Sequence, residues 1–195
     1  MITIMIFGVS GVGKTHLINL MLPRLHKACS FRASELIGLA RENADPEYLR
    51  NLGNDEMHRS QELLVRGYHD RMQVTSAEIV LLDAHSVIDQ DSGFYDIPVE
   101  VISRLNPRFI VHVEDDVDQI VMRRQCDAGR LRPARSPDQL TTYQDRSRLG
   151  CEIYSRTLNV PMLRIHSGNV EVLFGAIASL MNCNSDLTDT DHKAH

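Results

Sequence analysis

The sequence predicts one three-layer α/β/α domain around a central, mostly parallel five-stranded sheet. Short apolar runs typical of buried parallel strands occur at 2–7, 27–31, 79–82, 109–113 and 160–165. Stretches with apolar residues at helical spacing separate these runs. Strands that alternate with helices pack as a parallel sheet covered on both faces. The 195 residues are enough for one such domain with a full core.

The elements follow from the periodicity of apolar residues and from turn signals. In chain order we expect helices at 15–25, 34–43, 55–72, 98–105, 116–126, 138–158 and 170–181. The segment 86–97 contains the turn signal Asp91-Ser92-Gly93 and is expected to be a loop. The residues 183–195 are polar and lack core-forming side chains, so they predict a disordered tail after a domain at 1–182.

Composition excludes several classes of protein. The net charge of −5, from 21 Lys+Arg against 26 Asp+Glu, is not that of a general nucleic-acid binder. The four cysteines form no CxxC pair, which favours reduced thiols in a cytoplasmic protein over a disulfide framework or a zinc site. No apolar run approaches the roughly 20 residues of a membrane-spanning helix. We therefore expect no nucleic-acid or membrane partner.

A phosphate-binding loop lies between the first predicted strand and the first predicted helix. The stretch Gly8-Val9-Ser10-Gly11-Val12-Gly13-Lys14-Thr15 matches the P-loop pattern in the correct context. Its glycines allow backbone N–H groups to approach phosphate oxygens, Lys14 can reach the β- and γ-phosphates, and the Thr15 hydroxyl can bind Mg²⁺. The residues expected to bind the nucleoside triphosphate are Gly8, Ser10, Gly11, Val12, Gly13, Lys14, Thr15 and His16.

A carboxylate follows the buried strand at 79–82. In a P-loop protein, Asp83 at this strand end is expected to hold Mg²⁺ through water. The alternative is an aspartate that only caps the next turn. His85 lies at the same crevice, and we expect it to position substrate rather than act as a base. Phosphoryl transfer depends mainly on positioning and charge neutralisation.

A second group of candidate residues is rich in arginine. Seven arginines and no lysine occur between positions 123 and 148: Arg123, Arg124, Arg130, Arg132, Arg135, Arg146 and Arg148. The planar guanidinium fork grips phosphate oxygens in pairs, so the segment at about 127–137 is expected to be a short lid that closes over the phosphates. The alternative is a solvated basic face. Arg124 and Arg135 are the two expected to face solvent.

A third region supplies the acceptor side. The helices at about 31–74 form an insertion between the P-loop and Asp83 that carries four scattered arginines: Arg32, Arg41, Arg50 and Arg59. In an open α/β kinase such an insertion faces the P-loop and binds the phosphoryl acceptor. Any one of these arginines is more often a surface residue than a ligand.

Several motifs together resemble one family. They are Gly8 to Thr15, Val80-Leu81-Leu82-Asp83-Ala84-His85, Leu105-Asn106-Pro107, Val113-Glu114-Asp115-Asp116 and Met122-Arg123-Arg124. Over 1–181 the chain resembles the archaeal-type adenylate kinases, a branch of the P-loop nucleoside monophosphate kinases, and related bacterial nucleotide-kinase-like proteins. The resemblance implies a P-loop NTPase fold and Mg²⁺-dependent transfer of the ATP γ-phosphoryl group to a nucleoside monophosphate. It also allows a homo-oligomer.

The resemblance further implies roles for individual residues. The catalytic group would be Lys14, Arg123, Arg130, Arg132 and Arg148, with Arg146 as the alternative to Arg148. The acceptor group would be Arg50, Arg32, Gln61 and His85, with Gln61 reading the acceptor base. Mg²⁺ would bind at Thr15 and, through water, at Asp83.

The chain departs from the family pattern mainly on the acceptor side. The segment after the first helix is shorter, Ser30-Phe31-Arg32-Ala33-Ser34 lacks the family's Gly-Thr pair, and Cys126 replaces a further arginine. The resemblance makes AMP or dAMP the first acceptor to test, and the departures bear on whether the acceptor base is adenine. Two other functions stay open: a small-molecule kinase with a non-nucleotide acceptor, and a P-loop ATPase that acts as a nucleotide-controlled switch for a protein partner.

Overall fold

A computed structural model describes residues 1–41, 53–127 and 132–188. In chain order the strands and helices are β1 (Ile2–Phe7), α1 (Lys14–Met21), β2 (Ala28–Arg32), α2 (Ala33–Ala40), α3 (Asn54–Val74), β3 (Ile79–Asp83), β4 (Val87–Gln90), β5 (Gly93–Asp96), α4 (Val99–Arg104), β6 (Phe109–Glu114), α5 (Val117–Cys126), α6 (Pro137–Leu158), β7 (Met162–His166) and α7 (Val170–Thr188). A 3₁₀ turn that contains Pro23 follows α1.

The central sheet has five strands in the order β2-β3-β1-β6-β7, and each neighbouring pair is parallel. Because β1 and β3 are adjacent and in register, with Ile6 opposite Asp83, the P-loop and Asp83 leave the sheet at the same edge. The three-layer α/β/α P-loop fold predicted from the sequence is confirmed.

Successive side chains of β1 point to opposite faces of the sheet and divide the core into two layers. Ile4 and Ile6 pack on the face covered by α1, α5 and α7. Met5 and Phe7 pack on the face covered by α2, α3 and α4. All four are fully buried, which explains why β1 is a continuous apolar run rather than an alternating one.

The sequence prediction was wrong for 86–97, which is not a loop. Its strands β4 and β5 pair antiparallel as a hairpin around the turn expected at 91–93. The hairpin packs on α6, where Phe94 stacks on Tyr143 at 5.0 Å and the Tyr143 hydroxyl donates to the Val87 carbonyl at 3.1 Å. These contacts with a distant helix stabilise strands too short to be stable alone.

The end of the domain also differs from the prediction. Helix α7 continues to Thr188, so the residues 183–188 expected in a disordered tail are helical. The rest of that predicted tail lies outside the described residues. Within the described ranges, none of the helices has the length and apolar character needed to cross a membrane.

Candidate active site

A cleft of about 700 Å³ opens at the carboxyl ends of β1 and β3. Many of the residues predicted from the sequence line it: Ser10, Gly11, Gly13, Lys14, Thr15, His16, Arg32, Gln61, Asp83, His85, Arg123 and Arg132. Gly8 and Val12 are not among the lining residues, but their carbonyls accept hydrogen bonds from the lining side chains of Lys14 and Arg123. Arg50 and Arg130 are outside the described residues.

The P-loop needs glycine at positions where a side chain would collide with its support. Gly8 has φ of +151°, and a Cβ there would lie 2.5 Å from the Val113 carbonyl oxygen. Gly11 has φ of +90°, and a Cβ there would lie 2.8 Å from Cγ of Arg124. The loop can therefore curve tightly against β6 and α5 only without these side chains.

Lys14 is the first residue of α1, and its side chain folds back into the loop. The ammonium donates to the Gly8 carbonyl at 2.7 Å and to the Val9 carbonyl at 3.3 Å, and it lies 3.8 Å from a carboxylate oxygen of Asp83. Only 6% of the side chain is exposed. A buried positive charge is thus aimed at the concave face of the loop, where an anion would be bound.

Thr15 and Asp83 meet across the two adjacent strands. The Thr15 hydroxyl donates to the Asp83 carboxylate at 2.9 Å, so two oxygen donors lie together beside Lys14. Hydroxyl and carboxylate oxygens are the ligands that Mg²⁺ prefers, usually with retained waters. This donor set fits a Mg²⁺ ion held partly through water.

His85, which follows β3, contacts the first glycine of the P-loop. Its Nδ1 lies 2.9 Å from the Gly8 carbonyl oxygen, so Nδ1 must carry the proton in this contact. The Gly8 carbonyl therefore receives hydrogen bonds from both Lys14 and His85. His85 fixes the base of the loop and also lines the cleft.

Arg123 and Arg132 both reach the P-loop. Nη1 of Arg123 donates to the Val12 carbonyl at 3.0 Å and to Asp115 at 2.6 Å. Nε of Arg132 donates to the Ser10 hydroxyl at 2.9 Å. Arg132 also pairs with Asp127. The structure thus brings two of the predicted catalytic arginines to the loop.

Asp115 anchors Arg123. Burial raises the pKa of its carboxyl, but hydrogen bonds from Ser167, Arg123 and the Asp116 amide outweigh burial and leave the pKa below its usual range. His166 lies 2.8 Å from the same carboxylate. Asp115 therefore stays ionised and keeps the guanidinium of Arg123 beside the P-loop.

The expectation that Arg124 and Arg135 face solvent was wrong. Their side chains are 9% and 14% exposed, and both donate to Asp89, whose side chain is 5% exposed. Asp89 was not singled out because it lies in the segment expected to be a loop. The β-branched pair Val87-Ile88 and the aromatic pair Phe94-Tyr95, on either side of the turn signal at 91–93, were the signal that could have revealed the hairpin.

Two buried guanidinium nitrogens have no acceptor among the described residues: Nη1 of Arg124 and Nη1 of Arg132. Both side chains line the cleft next to the P-loop. A buried charged donor without an acceptor is costly, and phosphate oxygens are strong acceptors for guanidinium. The arrangement is suited to an anionic ligand such as a nucleotide polyphosphate.

The later arginines are paired elsewhere. Arg148 donates to Glu152 at 2.7 Å and to Asp145 at 3.4 Å along α6. Arg146 makes a two-bond pair with Asp96 at 2.7 and 2.6 Å. Neither is among the described residues that line the cleft, so the structure does not bring Arg148 to the other predicted catalytic residues.

The far side of the cleft is formed by α2, α3, α4 and the residues around the hairpin. Its apolar lining residues are Ile37, Leu64, Ile88, Ile97 and Ile102. Among them lie Arg32, which donates to Glu35 at 3.0 Å, and Gln61, whose amide nitrogen lies 3.1 Å from the Ser60 hydroxyl. This side of the cleft is therefore mainly apolar, with a few polar groups.

Comparisons with known proteins agree with this geometry. A family model described as AAA domain matches residues 7–141. An adenylate kinase from Methanoculleus marisnigri is 32% identical over 162 residues, 78% of this chain and 82% of that protein. An adenylate kinase from Thermococcus kodakarensis is 31% identical over 166 residues, 80% of this chain and 81% of that protein.

Solved structures share the fold at lower identity. Shikimate kinase from Acinetobacter baumannii superposes with a TM-score of 0.60 at 14% identity, over 94% of each chain. The P-loop, the strand-end carboxylate and the two relatives at or above 30% identity together establish that this chain is a phosphotransferase that belongs to the adenylate kinase family of P-loop proteins.

Proposed function

We propose that this protein is an ATP-dependent nucleoside monophosphate kinase, with AMP or dAMP as the first acceptor to test. The observation that carries the proposal is that one continuous cleft is lined both by the P-loop and by α2 and α3. Two phosphate-bearing substrates can then meet in the same cavity. The archaeal relatives named adenylate kinases support this acceptor class.

On the ATP side, the P-loop amides and Lys14 would hold the triphosphate, and Thr15 and Asp83 would hold Mg²⁺, whose positive charge would help to neutralise the phosphates. Lys14 is already directed into the loop by its bonds to Gly8 and Val9. Its charge then moves little when phosphate binds, which keeps the reorganisation cost low.

On the acceptor side, Arg32 binds the acceptor phosphate and Gln61 reads the base. The Ser60 hydroxyl donates to the Met57 carbonyl at 2.6 Å, so it can only accept from Gln61. This contact fixes the amide nitrogen of Gln61 toward Ser60 and leaves its oxygen as an acceptor. An acceptor oxygen suits a base with an exocyclic amine, such as adenine. Arg50 is proposed as a second ligand of the acceptor phosphate from the sequence alone.

Transfer itself needs positioning and charge neutralisation more than a base. The acceptor phosphate oxygen attacks the γ-phosphorus in line, the bond to the β–γ bridging oxygen breaks, and ADP leaves. Arg123 and Arg132, with Arg130, neutralise the transferring group. Arg148 would first have to leave Glu152 and Asp145, so we do not include it in this set.

An acceptor panel in a coupled ADP-release assay tests the proposal. It compares AMP, dAMP, CMP, UMP, GMP and shikimate at fixed MgATP, with Lys14→Met as the inactive control. We expect AMP or dAMP to give the highest kcat/KM. Turnover with shikimate alone would favour the small-molecule kinase, and ATP hydrolysis that no nucleoside monophosphate stimulates would favour the switch ATPase. Either result would refute the nucleotide kinase.

A further inference from the structure

A buried ion cluster lies beside the P-loop, and the carboxylate at its centre has no role in the phosphoryl transfer described above. Its centre is Asp89 on β4. One oxygen of its carboxylate accepts from Nη2 of Arg124 at 2.9 Å, and the other accepts from Nε of Arg135 at 2.9 Å. The cluster joins the hairpin to two segments that are far from it in sequence.

Each arginine makes a second contact that fixes its direction. Nη2 of Arg135 donates to the Gln90 carbonyl at 2.6 Å, and its guanidinium lies 5.2 Å from the ring centre of Phe94. Arg124 lies against Gly11 of the P-loop, and its Nη2 is 3.5 Å from the Pro133 carbonyl. Two buried guanidinium groups therefore depend on one carboxylate for charge compensation.

The cluster also fixes the chain around Arg132. This residue lies immediately before Pro133 and shortly before Arg135, both of which contact the cluster. The side chain of Arg132 extends from there to the Ser10 hydroxyl at 2.9 Å. Its position over the P-loop is thus set by a backbone that Asp89 holds through Arg124 and Arg135.

We propose that Asp89 is a positioning residue for phosphoryl transfer: its pairs with Arg124 and Arg135 hold Arg132 over the P-loop. The proposal rests on the nucleotide kinase function proposed above. A displacement of about 1 Å in a catalytic constellation can cost about 10²-fold in rate. Loss of the Asp89 charge should therefore lower ATP-side activity without changing contacts to the acceptor.

A double-mutant cycle between Asp89 and Arg132 tests this coupling. We expect Asp89→Asn to lower kcat/KM for MgATP by about 10²-fold, with the KM of the acceptor changed by less than about 2-fold. Arg132→Met should lower kcat/KM for MgATP by about 10³-fold, as the loss of an arginine that binds the transferring phosphate does. In the Arg132→Met background, Asp89→Asn should then lower kcat/KM for MgATP by less than about 3-fold, because the effect of Asp89 passes through Arg132.

Asp96→Asn is the matched control. Asp96 is on the same hairpin and also pairs with an arginine, Arg146, but its side chain is 57% exposed and it is not among the described cleft-lining residues. We expect kcat/KM within about 2-fold of wild type. Thermal unfolding of every variant separates loss of positioning from loss of fold.

Equal effects of Asp89→Asn in both backgrounds, or wild-type kinetics for the folded variant, would overturn the proposal. Should Asp89→Asn not fold, Arg135→Gln replaces it in the same double-mutant cycle, because this variant keeps the Asp89–Arg124 pair. We expect Arg135→Gln alone to lower kcat/KM for MgATP by about 10-fold, and to lower it by less than about 3-fold in the Arg132→Met background. A wild type without nucleotide turnover would refute the proposed function instead, and MgATP affinity by calorimetry would then report the same coupling without any acceptor.

Discussion

The two sides of the cleft are built differently. On the ATP side, consecutive residues at 8–15 form a closed hydrogen-bonded network around Lys14 and Asp83. On the acceptor side, a few polar groups from separate elements stand among apolar side chains of α2, α3 and the hairpin region. The ATP side is therefore set by local backbone and fixed charges, whereas the acceptor side is set by shape and by few hydrogen bonds.

This difference predicts that substitutions on the ATP side remove activity with any acceptor, while those on the acceptor side change selectivity.

The largest effect is expected for Lys14→Met. Because a buried cation aimed at the phosphates is lost, kcat with MgATP and AMP should fall by about 10³-fold. Steady-state kinetics measures it, with Lys27→Met as the control, since Lys27 is an exposed lysine paired with Glu78. Near-wild-type kinetics for Lys14→Met would refute the P-loop assignment.

The next largest effect is expected at the proposed Mg²⁺ site. Thr15→Val removes the hydroxyl that meets Asp83 and should lower kcat/KM for MgATP by about 10²-fold, with partial recovery at higher Mg²⁺. Thr15→Ser keeps the oxygen and should stay within a few-fold of wild type. A titration of activity against free Mg²⁺ measures both. Equal activity of the Val and Ser variants would show that the hydroxyl is not a ligand.

A smaller effect, confined to one substrate, is expected on the acceptor side. Gln61→Leu should raise the KM of AMP by about 10-fold and leave the KM of MgATP unchanged, because one hydrogen bond to the base is lost. Gln73→Leu, at an exposed position on the same helix, is the matched control. A parallel rise in both KM values would mean that Gln61 supports the fold rather than the acceptor.

The smallest effect concerns stability beneath the P-loop. His112 pairs in register with Phe7 on β1, and burial, with the nearby charges of Arg164 and Lys14, lowers its pKa to about 4. Since the unfolded state takes up this proton near pH 6.5, the stabilisation is complete above that pH and is lost as pH falls toward 4. Between pH 7 and 5.5 the free energy of unfolding should fall by about 1 kcal/mol from this group.

Chemical denaturation at the two pH values measures this loss. His112→Leu should remove about 1 kcal/mol from the pH dependence, since leucine cannot bind a proton. His26→Leu, which replaces an exposed histidine, is the control for the substitution itself. The same slope in the His112→Leu variant as in the wild type would contradict the assignment.

The sequence was a good guide where chemistry is carried by neighbouring residues. The P-loop, the strand that ends in Asp83 and the five parallel strands are local patterns, and the structure has them as expected. The sequence did not predict which of the arginines at 123–148 are buried, which line the cleft and which are paired elsewhere. Seven of them in one stretch look alike in sequence, and only burial against partners distinguishes them.

The sequence by itself determined the sheet and the phosphate-binding loop, because apolar periodicity and glycine placement act within short stretches of chain. The tertiary structure alone decided that Asp89 is a buried partner for Arg124 and Arg135, which lie 35 and 46 residues away along the chain. A charge becomes buried only when distant elements pack around it, and no local pattern contains that information.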